Sequence, residues 1–198
     1  VPDWFYLDHP DWVAARGNRA KPIHMKCYWE LNNDNLLDLS HVAYLHEATL
    51  GGPDITKYPI KTERLADGVR MSRLIPDTPP TPIFASYLGI EGNVDRWQIA
   101  EVTAPTHCVV DAGVGVPVGT GTIEGDRGEG IGFRALITAT PETETTTFMF
   151  YAQVRNFALD NETLTETFTK DFYNVFLDDV GALEAQQRVM EHHPDAPT

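Results

Sequence analysis

The chain has 198 residues, 42% of them hydrophobic and 22% charged, and its 15 basic and 29 acidic residues give a formal net charge of −14. That length allows one globular domain with a substantial core. A surface this acidic repels phosphate backbones and anionic lipid, so neither nucleic acid nor a membrane is an expected partner.

No apolar run approaches the ~20 residues that cross a bilayer. The opening VPDWFYLDHP lacks the basic and apolar regions of a secretion signal. Residues 1–22, rich in Trp, Pro, Asp and Arg, show no clean period and read as an irregular lead-in that continues from something upstream. Residues 24–31 (HMKCYWEL) are strand-like. Asn33 or Asp34 can cap a helix expected to run to about Ala48, where LGGP stops it. Segments 69–75, 96–104, 131–138 and 145–155 are of β type, separated by turns such as PDTPPTP and GDRGEG. Their spacing predicts an antiparallel sheet rather than βαβ units. From Asn161, apolar residues at 164, 168, 172, 176, 180 and 183 keep the helical period to Met190. The last residues, 190–198, are expected to be flexible. Nothing divides the chain, so one α+β domain over 1–198 is expected. Cys27 and Cys108, far apart and each alone, read as buried free thiols of a cytoplasmic protein, with a single disulfide as the alternative.

The chemistry sits in two helical segments. NNDNLLDLSHVAYLHEATLG (32–51) carries Asp38, His41 and His46 among leucines. Five residues separate the histidines, about 140° on an ideal helix, so they meet on one ion only if a π-type turn widens the helix locally. Otherwise they are two ordinary histidines. In the last helix, counting 100° per residue from Phe172, Phe176 falls at about 40°, Leu183 at about 20° and Asp179 at about 340°, in the middle of the apolar stripe. Its neighbour Asp178, at about 240°, points away. An ionised carboxylate on a core-facing stripe is costly unless it is paired, hydrogen-bonded or bound to a metal. Two histidines and one carboxylate form the facial set that suits non-haem Fe(II), although a zinc hydrolase could use the same three. A non-catalytic ligand-binding domain remains a third reading. Glu47, Glu184 and the other histidines are weaker ligand candidates. Asp38, three residues before His41, can take that ring's second N–H, as carboxylates do behind metal-bound histidines, or serve first-turn electrostatics. Apolar strand positions, including Ile137, Phe148 and Phe150, are candidate pocket walls.

DNLLDLSHVAYLHEATLGG, with Asn35, Asp38, His41 and His46 in N-x2-D-x2-H-x4-H spacing, resembles the mononuclear iron motif of Rieske-type aromatic-ring oxygenases. The likeness is to the subgroup of vanillate O-demethylase and dicamba demethylase oxygenase components. Residues 140–157 and 178–187 agree with the same subgroup, in the same order. The resemblance implies a helix-grip (Bet v 1/START-like) fold, a curved antiparallel sheet around a long C-terminal helix. It implies His41, His46 and Asp179 as ligands of mononuclear Fe(II), Asp38 as an electron-transfer bridge and Asn35 in support. It also implies O2-dependent hydroxylation or O-demethylation of a small aromatic substrate by a monooxygenase. Electrons would come from NAD(P)H through a reductase or ferredoxin, and the assembly would be a homotrimer. The subgroup's Cys-x-His and Cys-x2-His pair for a Rieske [2Fe–2S] cluster is absent here. The chain is therefore expected to be the catalytic part of a longer protein, with that cluster on a missing domain.

Overall fold

The computed structural model describes residues 5–14, 21–52, 55–125, 127 and 130–193. The longest helical period becomes the longest element, α3 (Glu162–His192), of 31 residues and about 45 Å. Its cap is Asn161, whose Oδ1 accepts the Leu164 N–H at 2.9 Å. The buried Arg155 pins the turn that enters it, donating to the carbonyls of Phe157, Ala158 and Asn161 and to the Thr165 hydroxyl. Of the stripe expected to be buried, Phe168, Phe172, Phe176, Asp179 and Leu183 are buried, joined by Val175 and Gln187, while Leu164 and Val180 are half-buried.

The described residues form eight strands in one antiparallel sheet. They are β1 (Val13–Ala14), β2 (Ile23–Met25), β3 (Lys61–Arg64), β4 (Gly68–Thr78), β5 (Val94–Thr103), β6 (His107–Gly115), β7 (Ile131–Pro141) and β8 (Thr147–Arg155). The order is β1-β8-β7-β6-β5-β4-β3, with β2 also pairing β8. Successive side chains of a strand alternate faces. Phe133 lies 4.5 Å from Phe172, and Tyr151 4.8 Å from Phe176, ring centre to ring centre. Their parity is therefore the inner face, against α3. Register then carries Arg73, Gln98, Ala112, Phe133 and Arg155 across that face in one row. A curved antiparallel sheet gripping a long C-terminal helix is the α+β helix-grip arrangement expected. No helix among the described residues is long and apolar enough to cross a membrane.

Several local expectations change. The segment 24–31 holds only a short strand, and helix α1 (Trp29–Leu37) already starts within it. The lead-in is not wholly irregular. Val13–Ala14 pairs with Val154 and Arg155, while Tyr6 and Trp12 lie over the Arg134 guanidinium on the outer face, at 4.4 and 4.6 Å. Strand β3 was missed because its sequence, KTER, is polar and mostly exposed at the sheet edge. Helix α2 (Pro82–Leu88) hides in a proline run read as a turn. Thr81 caps it, Pro82 opens it, and Gly89 ends it in a left-handed conformation. At the C-terminus α3 extends to His192, and residues 194–198 of the expected flexible tail lie outside the described residues. Cys27 and Cys108 are free and fully buried.

Candidate metal centre

Asp38 ends α1. Its Oδ1 accepts the Ser40 N–H at 2.8 Å and the Ser40 hydroxyl, a local turn that competes with another helical turn. The helix expected to reach about Ala48 therefore stops at Leu37. The chain continues as a 3-10 turn at His41–Ala43 and then irregular turns. The two histidines converge because the backbone leaves the helix before His41, not because a π-type turn widens it. Gly51 closes the segment by donating its N–H to the His46 carbonyl at 2.8 Å. A Cβ at Gly51 would lie 2.5 Å from the Val42 oxygen, so the close return needs glycine.

His41 Nδ1 lies 2.5 Å from the main-chain oxygen of Asp38. A carbonyl only accepts, which puts the proton on Nδ1 and leaves a lone pair on Nε2 of the neutral ring. That Nε2 is 3.5 Å from Asp179 Oδ1, and His46 Nε2 is 3.0 Å from the same oxygen. The rings are nearly perpendicular, at 78°, with centres 5.1 Å apart. His46 is 3% exposed and Asp179 7%. One ligand atom from each of the three residues lies within 4.8 Å of the other two. Asp178 is exposed, as its helix angle required.

A buried carboxylate oxygen facing the lone pair of a neutral imidazole is an electrostatic conflict, removed by a proton or a divalent cation between them. Among the described residues no lysine or arginine pairs with Asp179. Two imidazole nitrogens and one carboxylate oxygen fit a divalent transition metal, with Fe(II) and Zn(II) both compatible.

Two buried arginines fasten this segment to the sheet. Arg73 of β4 donates to the Leu39 carbonyl at 2.5 Å, the Ile55 carbonyl at 3.0 Å and Gln98 Oε1 at 2.8 and 3.1 Å. Arg96 of β5 donates to the Leu50 carbonyl at 2.9 Å. Burial lowers the Arg73 pKa, partly countered by the Asp38 charge. An irregular segment leaves carbonyls without partners, and these guanidiniums collect three of them. Neither arginine emerges from sequence reasoning. The available signal is a charged residue at the inward parity of an otherwise apolar strand, which is visible only once the inward parity is known.

The remaining site residues behave as follows. The carboxylate of Asp38 does not take the second N–H of His41; its own main-chain oxygen does, because the carboxylate is engaged by Ser40. Asn35 offers its main-chain oxygen to the Asp38 N–H at 3.2 Å. Ile137 is buried on the inner face. Phe148 and Phe150 have the opposite parity and face outward, Phe148 against His24 at 4.8 Å and Phe150 47% exposed. Met149, Tyr151 and Gln153 take the inward places. Glu184 accepts the Lys26 N–H at 3.0 Å, away from the histidines, and Glu47 is exposed.

Known proteins resemble this chain in sequence and in fold. The profile of the vanillate O-demethylase oxygenase C-terminal domain matches residues 25–198. The chain is 34% identical over 203 residues to a toluene-4-sulfonate monooxygenase system iron-sulfur subunit of Comamonas testosteroni, covering 100% of this chain and 56% of the relative. It is 30% identical over 195 residues to a vanillate O-demethylase oxygenase subunit of Pseudomonas sp. (strain HR199 / DSM 7063), covering 96% and 54%. The crystal structure of dicamba monooxygenase bound to 3,6-dichlorosalicylic acid superposes over 100% of this chain and 57% of that one, with a TM-score of 0.87 at 22% identity. The chain thus spans little more than half the length of these relatives.

Proposed function

The chain belongs to the vanillate O-demethylase oxygenase C-terminal domain family, and from that premise we propose that it is the catalytic part of a Rieske-type aromatic oxygenase. In this reading His41, His46 and Asp179 hold one Fe(II). The observation that carries it is the convergence of three metal-ligating side chains from a loop and a helix, His46 and Asp179 being 133 residues apart. When bound, the iron supplies O2 activation for hydroxylation of an aromatic ring or of a methyl group on it. The protein's own share is positioning. The Asp38 carbonyl holds the His41 tautomer and aims Nε2 at Asp179. Arg73 and Arg96 hold the loop that carries both histidines.

Asp38 is the contact we assign to an electron-donating Rieske [2Fe–2S] domain on a neighbouring subunit of a homotrimer. Its carboxylate side is exposed while its main chain touches His41. Asn35 supports the bend. The electrons derive from NAD(P)H through a separate reductase. The substrate is a small aromatic, carboxylated, sulfonated or methoxylated. It lies on the inner face, where the Tyr151 hydroxyl and Gln153 Nε2 are buried without a partner among the described residues and can meet a polar substituent. The cytoplasm, where Cys27 and Cys108 stay reduced, is the assigned compartment.

Metal analysis of protein prepared without oxygen tests the reading. It expects about one iron per chain, the stoichiometry of a facial triad. Stoichiometric zinc would instead mark a hydrolase, and no bound metal a ligand-binding module.

A further inference from the structure

Arg96 lies on the inner face of β5 and is 5% exposed, yet only one of its N–H groups has an acceptor among the described residues, the Leu50 carbonyl. A guanidinium has five such donors. No described carboxylate compensates its charge. Burial, and secondarily the neighbouring Arg73 cation, push its pKa down to about 10. A buried cation that pairs with no carboxylate among the described residues is costly to a fold unless something supplies the opposite charge.

The side chain forms part of the wall of a cavity of about 380 Å³, together with Gly51, Gly52, Ile75, Thr78 and Pro82. Gly52 lies beside the free edge of the guanidinium: a Cβ built there would be 3.4 Å from Nη1, in van der Waals contact with it. Two acids also border the cavity, Glu47 and Asp77. Both are exposed, and Asp77 Oδ1 already accepts from Asn93 Nδ2 at 2.9 Å. Neither reaches Arg96 by a hydrogen bond.

We propose that this cavity is an oxoanion site in which the free edge of Arg96 binds a carboxylate, sulfonate, sulfate or phosphate group. The planar fork of a guanidinium matches such groups in two-point contact. The chain's net charge of −14 opposes diffuse anion binding. Saturable binding therefore reports a specific site. An occupant would lie beside Glu47, the residue after His46, without depending on the metal.

The test uses the chain freed of metal by chelation, so that it stands or falls separately from the iron assignment. With arginine labelled by 15N, the Arg96 Nε–H resonance is followed during titration with sodium sulfate and, separately, sodium 4-toluenesulfonate at constant ionic strength. The expected result is a saturable shift of Arg96 with at least one of the two and none for the exposed Arg188. Saturation by sulfate alone identifies an inorganic oxoanion site, and saturation by the sulfonate identifies a subsite for the anionic head of an organic molecule. Arg96→Lys should bind at least about tenfold more weakly, having lost the fork, and a folded Arg96→Gln should lose saturation. No saturable shift with either anion overturns the proposal, as does unchanged affinity in folded Arg96→Gln. Should Arg96→Gln not fold, the wild-type titration and Arg96→Lys still decide.

Discussion

Arg73, rising from the inner face of β4, donates to the main-chain oxygen of Leu39 at 2.5 Å, two residues before His41. The same guanidinium holds Ile55 beyond the other end of the segment, so one buried cation spans the loop that carries both histidines. Arg73→Met leaves those carbonyls and Gln98 unpaired in the core. It should lower the unfolding free energy by about 3 kcal/mol, measured by denaturant melts. It should also weaken Co(II) binding by at least about tenfold, the loss typical of residues that orient ligands. Arg73→Lys should recover part of the metal affinity. Wild-type affinity in folded Arg73→Met would show that the clamp does not position the histidines.

Asp38 separates two roles. Its carbonyl sets the His41 ring and its carboxylate is engaged by Ser40, on the exposed side. Asp38→Asn keeps the carbonyl and an acceptor for Ser40, so metal affinity should stay within about twofold, a small change on the energy scale of one hydrogen bond. Turnover with the complete electron-supply system should fall steeply. Loss of metal in Asp38→Asn would show that the carboxylate supports the ligands rather than electron delivery.

The carboxylate of Asp95 accepts the N–H groups of Asp77, Gly119 and Gly121 at 3.1, 2.5 and 3.0 Å. Burial alone would raise its pKa; the amides outweigh burial and hold it below the usual carboxylate range. A carboxyl whose folded pKa is lowered stabilises the fold above its unfolded pKa, near ~3.9, and loses that contribution as pH falls through the folded value. Asp95→Asn should therefore cost about 2 kcal/mol at pH 7. The gap to wild type should close on acidification below about pH 4. A gap that stays constant down the acid limb would contradict the charge-based account.

Burial pushes the Cys27 thiol up to about 11, with the Glu184 charge adding to the rise, and the Cys108 thiol up to about 12, where a hydrogen bond with the Glu101 main chain offsets part of it. Only the thiolate is nucleophilic. Folded protein at pH 8 should not react with iodoacetamide, and both thiols should be alkylated in denaturant. Mass spectrometry that finds either one modified under native conditions would contradict the burial.

Asp179 was legible in the sequence because α3 is one uninterrupted helix, where each residue's angle follows from counting. His41 and His46 were legible by type and spacing, but their geometry was not. The angle between them assumes a helix that Asp38 and Ser40 stop before His41. Strands β4, β5, β7 and β8 were legible and β6, β3 and β1 were not, and the inward parity was not legible either, since β5 is buried on both faces. For that reason Phe148 and Phe150 stood in for Met149 and Tyr151, and the two arginines went unseen. Parity becomes readable only when α3 is seen to cover one face.

The central claim is that His41, His46 and Asp179 hold the metal together, and anaerobic Fe(II) titration of the wild type beside Asp179→Ala and Asp178→Ala tests it most directly. The wild type should saturate at about one Fe(II) per chain and Asp178→Ala should match it, because only the buried member of the pair is a ligand. Asp179→Ala, folded, should retain no stoichiometric iron. Full occupancy in Asp179→Ala, or loss in Asp178→Ala with Asp179→Ala intact, would contradict the assignment.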